Sequence, residues 1–147
     1  LVVADKAISV SNIMNGATRL QPCVLLTGQA AGVVAALCVL ENKQPRELNV
    51  RNVQQKLLDS GAYLMPLFDV KPEDKAFQAI QRVTVSGILS VKGAPFHWAN
   101  RTWFYPDSAY TVAEFPKGLN SFCKDIDPEN DNSYLTNCPV GKNSVPN

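Results

Sequence analysis

The sequence has 147 residues, 46% of them apolar, which is enough for one ordinary domain or for part of a domain with a small module. Charged residues make up 18% of the chain, so wholesale disorder is not expected. The formal net charge is +1 and there is no basic cluster. This argues against nucleic acid as a partner, because phosphate binding needs several cations on one face. With His97 as the one histidine and no Cys-x-x-Cys, no metal site is predicted.

The N-terminal part of the chain predicts a strand, a loop and a long helix. Residues 1–10 are predicted as a strand, because β-favouring apolar residues surround a turn at Asp5. Ser11 to Gln21 is rich in polar residues and is predicted to be an irregular loop. A helix is predicted from about Pro22 to Glu41, and Asn42 to Pro45 ends it.

The predicted long helix is tested first as a membrane span. It is near the lower length limit for crossing a bilayer, and Gly28 and Gly32 have the spacing of a membrane packing motif. Thr27 and Gln29 lie inside it, however, and neither end carries aromatic anchors or a group of basic residues. A soluble helix buried on most sides has the same composition, so no membrane span is expected.

Three motifs in this region occur in an order that resembles a known family. They are Lys6-Ala7-Ile8-Ser9, Arg19-Leu20-Gln21-Pro22 and Gly28-Gln29-Ala30-Ala31-Gly32. From Leu1 to about Leu64 the chain resembles the C-terminal end of bacterial FAD-dependent oxidoreductases of the glutathione-reductase-like superfamily. The resemblance implies a final strand of the flavin domain, followed by a loop and a helix N-terminus that meet the flavin ring.

A complete dinucleotide-binding domain needs a Gly-x-Gly-x-x-Gly turn, and the sequence has none. We therefore expect a C-terminal part of a longer enzyme, whose partner is the remainder of the flavin domain and which is not active alone. Its substrate and catalytic residues are unknown.

The resemblance also implies which residues contact FAD. Asp5 is expected near the ribityl chain and the pyrophosphate, with a simple turn aspartate as the alternative. Arg19 is expected to add a positive charge beside the flavin or to pair with a substrate carboxylate. The alternative is a structural salt bridge. The full set of implied cofactor-binding residues is Asp5, Thr18, Arg19, Leu20, Gln21 and Cys23.

A second helix is predicted from Asn49 to Leu58. Val50, Val53 and Leu57 follow helical spacing, and Gly61 provides the stop. An amphipathic helix of this kind is expected to pack on the preceding helix and to carry no chemistry of its own.

The remainder of the chain has a different pattern. Phe68-Asp69-Val70 precedes a predicted helix with apolar residues at Phe77, Ile80 and Val83, which ends at Gly87. An aromatic-rich loop follows, and Thr111-Val112-Ala113-Glu114 reads as a capping box.

From Phe68 to about Leu119 this order resembles a single S-layer homology repeat. Two positions depart from the family pattern: Val112 replaces the usual arginine, and Pro116 is expected to shorten or kink the closing helix. Two interpretations stay open. The segment is either a helical module packed on the enzyme or a module that binds glycan through Trp98, Trp103 and Tyr105.

The C-terminal end is poor in hydrophobic residues and is predicted to be rich in loops. Cys123 and Cys138 are spaced for a disulfide, with two unpaired thiols as the alternative. A bridge would imply a periplasmic or extracellular location in a bacterium. The acidic run from Asp125 to Asp131 lacks the glycine and glutamate of a calcium loop, so it is expected to be a solvated loop.

Together these patterns predict a mainly α fold with four parts. Residues 1–45 form the end of an α/β flavin-domain fragment, with one strand or hairpin and a long buried helix. Residues 46–66 are a connecting amphipathic helix. Residues 67–122 are a small helical module like an S-layer homology repeat, and residues 123–147 are a loop-rich tail.

Overall fold

The structure, a computed structural model, describes residues 1–97, 99–110 and 114–126. The chain divides into two compact units, which we call unit 1, Leu1–Leu64, and unit 2, from Met65 onward. The described elements are mainly helical, as the sequence predicts.

Unit 1 begins without the strand expected over residues 1–10. These residues form an irregular segment with a single 3₁₀ turn at Asp5–Ala7. A strand is held by ladder hydrogen bonds to a neighbouring strand, and within unit 1 none of the described residues forms one.

A short helix replaces the irregular loop expected between Ser11 and Gln21. Helix α1 spans Asn12–Thr18, and the Ser11 hydroxyl caps it by accepting a hydrogen bond from the Met14 amide at 3.3 Å. This cap satisfies one of the free amides at the start of the helix, although the polar, glycine-containing composition predicted a loop.

Helix α2 spans Gln21–Glu41, within one residue of the prediction. Pro22 lies in its first turn, and Asn42 ends it in a left-handed conformation with φ 51°. The expectation of a buried helix is not met within unit 1, since Leu37 is its one buried residue. Its apolar residues lie on all sides, so its two neighbouring helices and turns can cover only part of it.

By length and composition α2 could also cross a membrane, and no other helix in the described part of the chain passes that test. Only 6% of its most apolar window is buried in unit 1. The core helix of a soluble protein has the same composition, so this property alone does not choose between lipid and protein as its surroundings.

A 3₁₀ turn at Pro45–Glu47 leads into helix α3, which spans Val50–Asp59. The Asn49 side chain caps α3 by accepting from the Arg51 amide at 2.8 Å. The predicted amphipathic helix is therefore present, and it packs against α2. The buried apolar residues of unit 1 are Leu37, Leu48, Leu57, Leu58 and Ala62.

Unit 2 is built around a small core and one buried amide. Helix α4 spans Phe77–Val85. Gln81 on this helix is fully buried, and its side chain pairs with the backbone of Met65 in both directions. Its Oε1 accepts from the Met65 N–H at 2.7 Å, and its Nε2 donates to the Met65 carbonyl at 2.9 Å. The core consists of Leu67, Val70 and Phe77, with Met65, Ile80, Val91 and Phe104 packed against them.

A β-hairpin occupies the place of the expected aromatic-rich loop. Strand β1, Lys92–Phe96, pairs antiparallel with β2, Ala99–Trp103, in a register that places Ala94 opposite Arg101. The pairing extends on the other side of β2, where the Phe68 N–H donates to the Thr102 carbonyl at 2.8 Å. The alternation of small, charged and aromatic residues in β2 fits a half-exposed strand better than a loop.

Helix α5 spans Glu114–Ile126. Pro116 is the third described residue of this helix, which continues ten residues beyond it, so the expected shortening after Pro116 is not observed. The alternative expectation, a kink at Pro116, stays a prediction. The helix also includes the first residues of the predicted tail. The residues of the capping box before Glu114, the acidic residues from Asp127 and Cys138 of the predicted disulfide lie outside the described residues.

We predict that Gly118→Ala destabilises unit 2 by about 1–3 kcal/mol or more. A methyl carbon at Gly118 would overlap the Ile88 carbonyl and lie 2.9 Å from the Gly87 carbonyl oxygen. Backbone atoms cannot move aside as a flexible side chain can. Chemical denaturation followed by tryptophan fluorescence reports unit 2, because both tryptophans lie after Met65.

Gly93→Ala in strand β1 of unit 2 is the matched control, since nothing lies within 4 Å of its added carbon. This change should be neutral or should stabilise the strand by up to about 1 kcal/mol. Equal denaturation midpoints for Gly118→Ala and the unmodified chain would contradict the close contact.

Candidate functional site

The residues implied to contact FAD, apart from Asp5, lie together at the junction of α1 and α2. Thr18 is the last residue of α1, and its hydroxyl donates to the Met14 carbonyl at 3.1 Å. Arg19 ends the helix, with its amide donating to the Asn15 carbonyl at 3.2 Å. Leu20 is extended and occupies the N-cap of α2, so only Arg19 and Leu20 separate the two helices.

The N-terminus of α2 is not capped by any side chain. Leu20 occupies the cap position, where serine, threonine, aspartate or asparagine would normally accept from the first free amides. Pro22 has no amide, so the donors of the first turn are the N–H groups of Gln21 and Cys23. This end of the helix carries about half a positive charge and offers two backbone donors to a polar or anionic group.

Arg19 adds a full positive charge beside this helix end. Its side chain is exposed, and across the described ranges it forms no ion pair, so the structural salt bridge considered as its alternative is not formed there. The one ion pair found in those ranges joins Lys43 to Glu41 at 2.8 Å.

Asp5 is the one implied site residue that lies elsewhere. It belongs to the 3₁₀ turn that contacts α2, and it makes no hydrogen bond or ion pair with the junction residues in the part of the chain described. Its φ of 64° is in the left-handed region, which costs a non-glycine residue about 1–2 kcal/mol, although aspartate adopts it more readily than most.

Unit 2 carries a second candidate surface that we call the aromatic row: Phe96, Phe68, Trp103 and Tyr105, with the side chain of Arg101 stacked among them. The Arg101 guanidinium carbon lies 3.4 Å from the Phe96 ring centre and 4.3 Å from that of Phe68. Phe68 and Trp103 have ring centres 4.9 Å apart, and Trp103 stacks on Tyr105 at 5.8 Å with an interplanar angle of 13°. The row is therefore a continuous run of ring contacts beside the hairpin, in which Phe68 and Trp103 are tilted by 54°.

Asp69 fixes one end of the aromatic row. Its two carboxylate oxygens accept from the amides of Phe104 and Tyr105, at 2.9 and 2.7 Å. Tyr105 has φ 57°, so these two bonds hold the chain in a left-handed conformation just after β2. A single carboxylate thus sets the direction in which Trp103 and Tyr105 face the solvent.

Glycan contact was expected of Trp98, Trp103 and Tyr105. Trp98 lies outside the described residues, while Trp103 and Tyr105 line a cavity of about 260 Å³ beside Asp69, Asp107 and Ser108. The cavity therefore combines aromatic rings with carboxylate and hydroxyl groups.

The sequence pattern did not single out Arg101, Phe96 or the capping role of Asp69. The period-two alternation of Arg101 and Trp103 was the available signal, because residues two apart in a strand share a face. Asp69 belongs to the Phe68-Asp69-Val70 motif, but the amides that it binds lie 35 residues or more further along the chain. Sequence spacing alone does not indicate hydrogen bonds between residues so far apart.

Comparison with known proteins gives one family match. Residues 1–57 match the family model described as FAD dependent oxidoreductase, which covers all of α2 and most of α3. No curated protein and no solved structure matches the chain. The N-terminal part is therefore similar to a portion of a flavoprotein oxidoreductase, in agreement with the resemblance of its motifs.

We predict that Asp69→Ala destabilises unit 2 by about 3 kcal/mol, because two charge-assisted hydrogen bonds are lost and two amides lose their acceptor. Asp69→Asn keeps one acceptor oxygen and should cost roughly half as much. Near-ultraviolet circular dichroism should report the change at Trp103 and Tyr105. Exposed Asp59 in unit 1 provides the control Asp59→Ala, and an equal effect of both alanine variants on the spectrum would refute the role of Asp69.

Proposed function

We propose that residues 1–57 are the C-terminal part of the flavin domain of an FAD-dependent oxidoreductase, and that the N-terminus of α2 faces the flavin. The family match over these residues supports the flavoprotein assignment. The observation that carries the finer proposal is the uncapped start of α2, where two amide donors and a partial positive charge have no acceptor among the described residues.

The donor groups present fit this cofactor. When bound, FAD supplies the electron-transfer chemistry, and protein groups tune and orient it. Reduction places negative charge along one polar edge of the ring, so the amides of Gln21 and Cys23 are suited to that edge. Arg19 supplies further positive charge for the ring or for a substrate carboxylate. Asp5 accepts hydrogen bonds and is suited to a sugar hydroxyl of the cofactor.

The surface of α2 supports the same proposal. Leu25 is 71% exposed and Leu40 is 80% exposed, and the space beside Gly28 and Gly32 is open. A helix that is apolar on all sides is stable in water only when other elements cover it. We propose that the remainder of the flavin domain, and no lipid bilayer, covers α2, with the two glycines allowing close backbone approach.

The experiment uses the polypeptide encoded by the full reading frame that contains these residues. It should purify with bound FAD and show flavin absorbance. Gln21→Glu adds a negative charge at the start of α2 and should lower the flavin reduction potential by about 10–20 mV, from roughly 0.5–1 kcal/mol of helix-end electrostatics.

Asn52→Asp introduces the same charge on an exposed position of α3, outside α2, and should leave the potential unchanged. A purified protein without flavin absorbance, even after reconstitution, would overturn the proposal. Equal potentials for both variants would overturn only the placement of the α2 N-terminus at the flavin.

A second candidate function, glycan binding by unit 2, is favoured by the cavity beside Trp103 and Tyr105. Aromatic rings next to carboxylate and hydroxyl groups suit a polyhydroxylated ligand. A cell-wall glycan would place the protein in the periplasm or outside the cell of a bacterium.

Glycan binding predicts that the full chain is retained on insoluble bacterial cell walls, and that replacing both Trp103 and Tyr105 by alanine removes the retention. The control is Tyr63→Ala, which removes an exposed tyrosine of unit 1. Cosedimentation at several wall concentrations measures the effect. Retention unchanged by the double substitution would exclude this cavity as the binding site.

A further inference from the structure

Arg101 lies over two aromatic rings, and no acceptor for its donors is found among the described residues. Its guanidinium carbon lies above the rings of Phe96 and Phe68, a cation–π arrangement that leaves its N–H groups available to another acceptor. Through residues 1–97, 99–110 and 114–126, no hydrogen bond or ion pair joins this side chain to a protein group. An oriented fork of donors of this kind matches a carboxylate in the plane of the guanidinium.

The hairpin that carries Arg101 has no acidic residue of its own. From Lys92 to Pro106 the sequence has two cations and no acidic residue, while Asp69 and Asp107 line the cavity at the Trp103 and Tyr105 end of the row. Lys92 lies over the Tyr105 ring at 5.8 Å, so both cations belong to the same face as the aromatic row. The nearby carboxylate of Asp69 is already engaged by two backbone amides.

The aromatic row is also unusually exposed for a set of large apolar side chains. Phe68 is 55% exposed, and Phe96 and Tyr105 are each 42% exposed. Aromatic residues and arginine are enriched in protein–protein interfaces, where they supply most of the binding energy, whereas acidic residues are depleted there. The aromatic row has the same composition, with four aromatic side chains and one arginine.

We propose that the aromatic row is a docking surface for an acidic peptide segment of a partner protein, whose aspartate or glutamate carboxylate pairs with Arg101. The charge of the face selects a negative partner, and the exposed ring edges select apolar residues beside the carboxylate. This inference is independent of the flavin proposal, because it concerns unit 2 alone.

The contacts within the aromatic row favour a charged partner over a stacked nucleobase. Arg101 lies over the Phe96 ring, and Trp103 lies nearly parallel to Tyr105, so part of the ring surface that a base would need is already in contact. A peptide can contact the exposed parts of the rings with aliphatic side chains while its carboxylate pairs with the guanidinium.

The test uses the full chain and a fluorescein-labelled peptide of alternating leucine and glutamate, with a glutamine-for-glutamate peptide as the neutral probe. Fluorescence anisotropy should show the acidic peptide binding at least tenfold more tightly than the neutral one. Arg101→Gln should weaken binding of the acidic peptide about tenfold or more, since a charge-assisted pair is lost. Arg82→Gln makes the same change of net charge at an exposed position of α4, and it should leave the affinity for the acidic peptide within twofold.

Arg101→Lys keeps a cation over the rings but removes the planar fork, so it should also weaken binding, and it provides the readout if the glutamine variant does not fold. Equal affinity for the two peptides, or equal binding by the Arg101 and Arg82 variants, would overturn the proposal. Arg101-dependent retention of polygalacturonate without binding of the acidic peptide would also overturn it, and would assign the surface to an acidic glycan instead.

Discussion

A helix that is apolar on every side has to be covered on every side, and this constraint governs unit 1. Helix α2 contains the small and aliphatic residues of an interior helix, yet its neighbours in unit 1 bury Leu37 and little else along it. The exposed leucines and valines are therefore the surface that the remainder of the flavin domain covers in the proposed function. Residues 1–57 match FAD-dependent oxidoreductases, and the proposal assigns the flavin contacts to the polar junction at the start of this helix.

Unit 2 depends on a different kind of interaction, in which polar side chains complete the hydrogen bonding of the backbone. Its apolar core is small, and its sheet has only two strands. Gln81 pairs with the backbone of Met65, and Asp69 pairs with the amides after β2. Two-stranded hairpins are marginally stable alone, so these long-range bonds and the stacked aromatic row hold the hairpin in place.

The sequence was most informative where the signal was local. The bounds of α2 follow from Pro22 and Asn42, and α3 follows from the cap at Asn49 together with its apolar spacing. The prediction of an N-terminal strand was wrong, because alternating apolar residues indicate only a tendency to form a strand. A strand forms only when its backbone pairs with that of a neighbouring strand. Helix α1 was missed because Gly16 suggested a loop, although Ser11 carried a capping signal.

The two candidate sites also differ in whether their residues are neighbours in the sequence. The junction residues from Thr18 to Cys23 are consecutive, so family motifs could identify them together. The stack around Arg101 combines Phe68 with a hairpin more than 20 residues later along the chain. Only the folded register brings these rings together, and composition alone could not indicate it.

The buried amide of Gln81 has a consequence for how unit 2 can be exchanged between proteins. Its partner is the main chain of Met65, the first residue of the unit, so any residue except proline can supply both hydrogen bonds. The Met65 side chain has a separate role, because it packs against the small core of unit 2. A truncation that began after this residue would leave two buried polar atoms of Gln81 without these partners. Recombination is thus expected to keep an apolar residue other than proline at this junction.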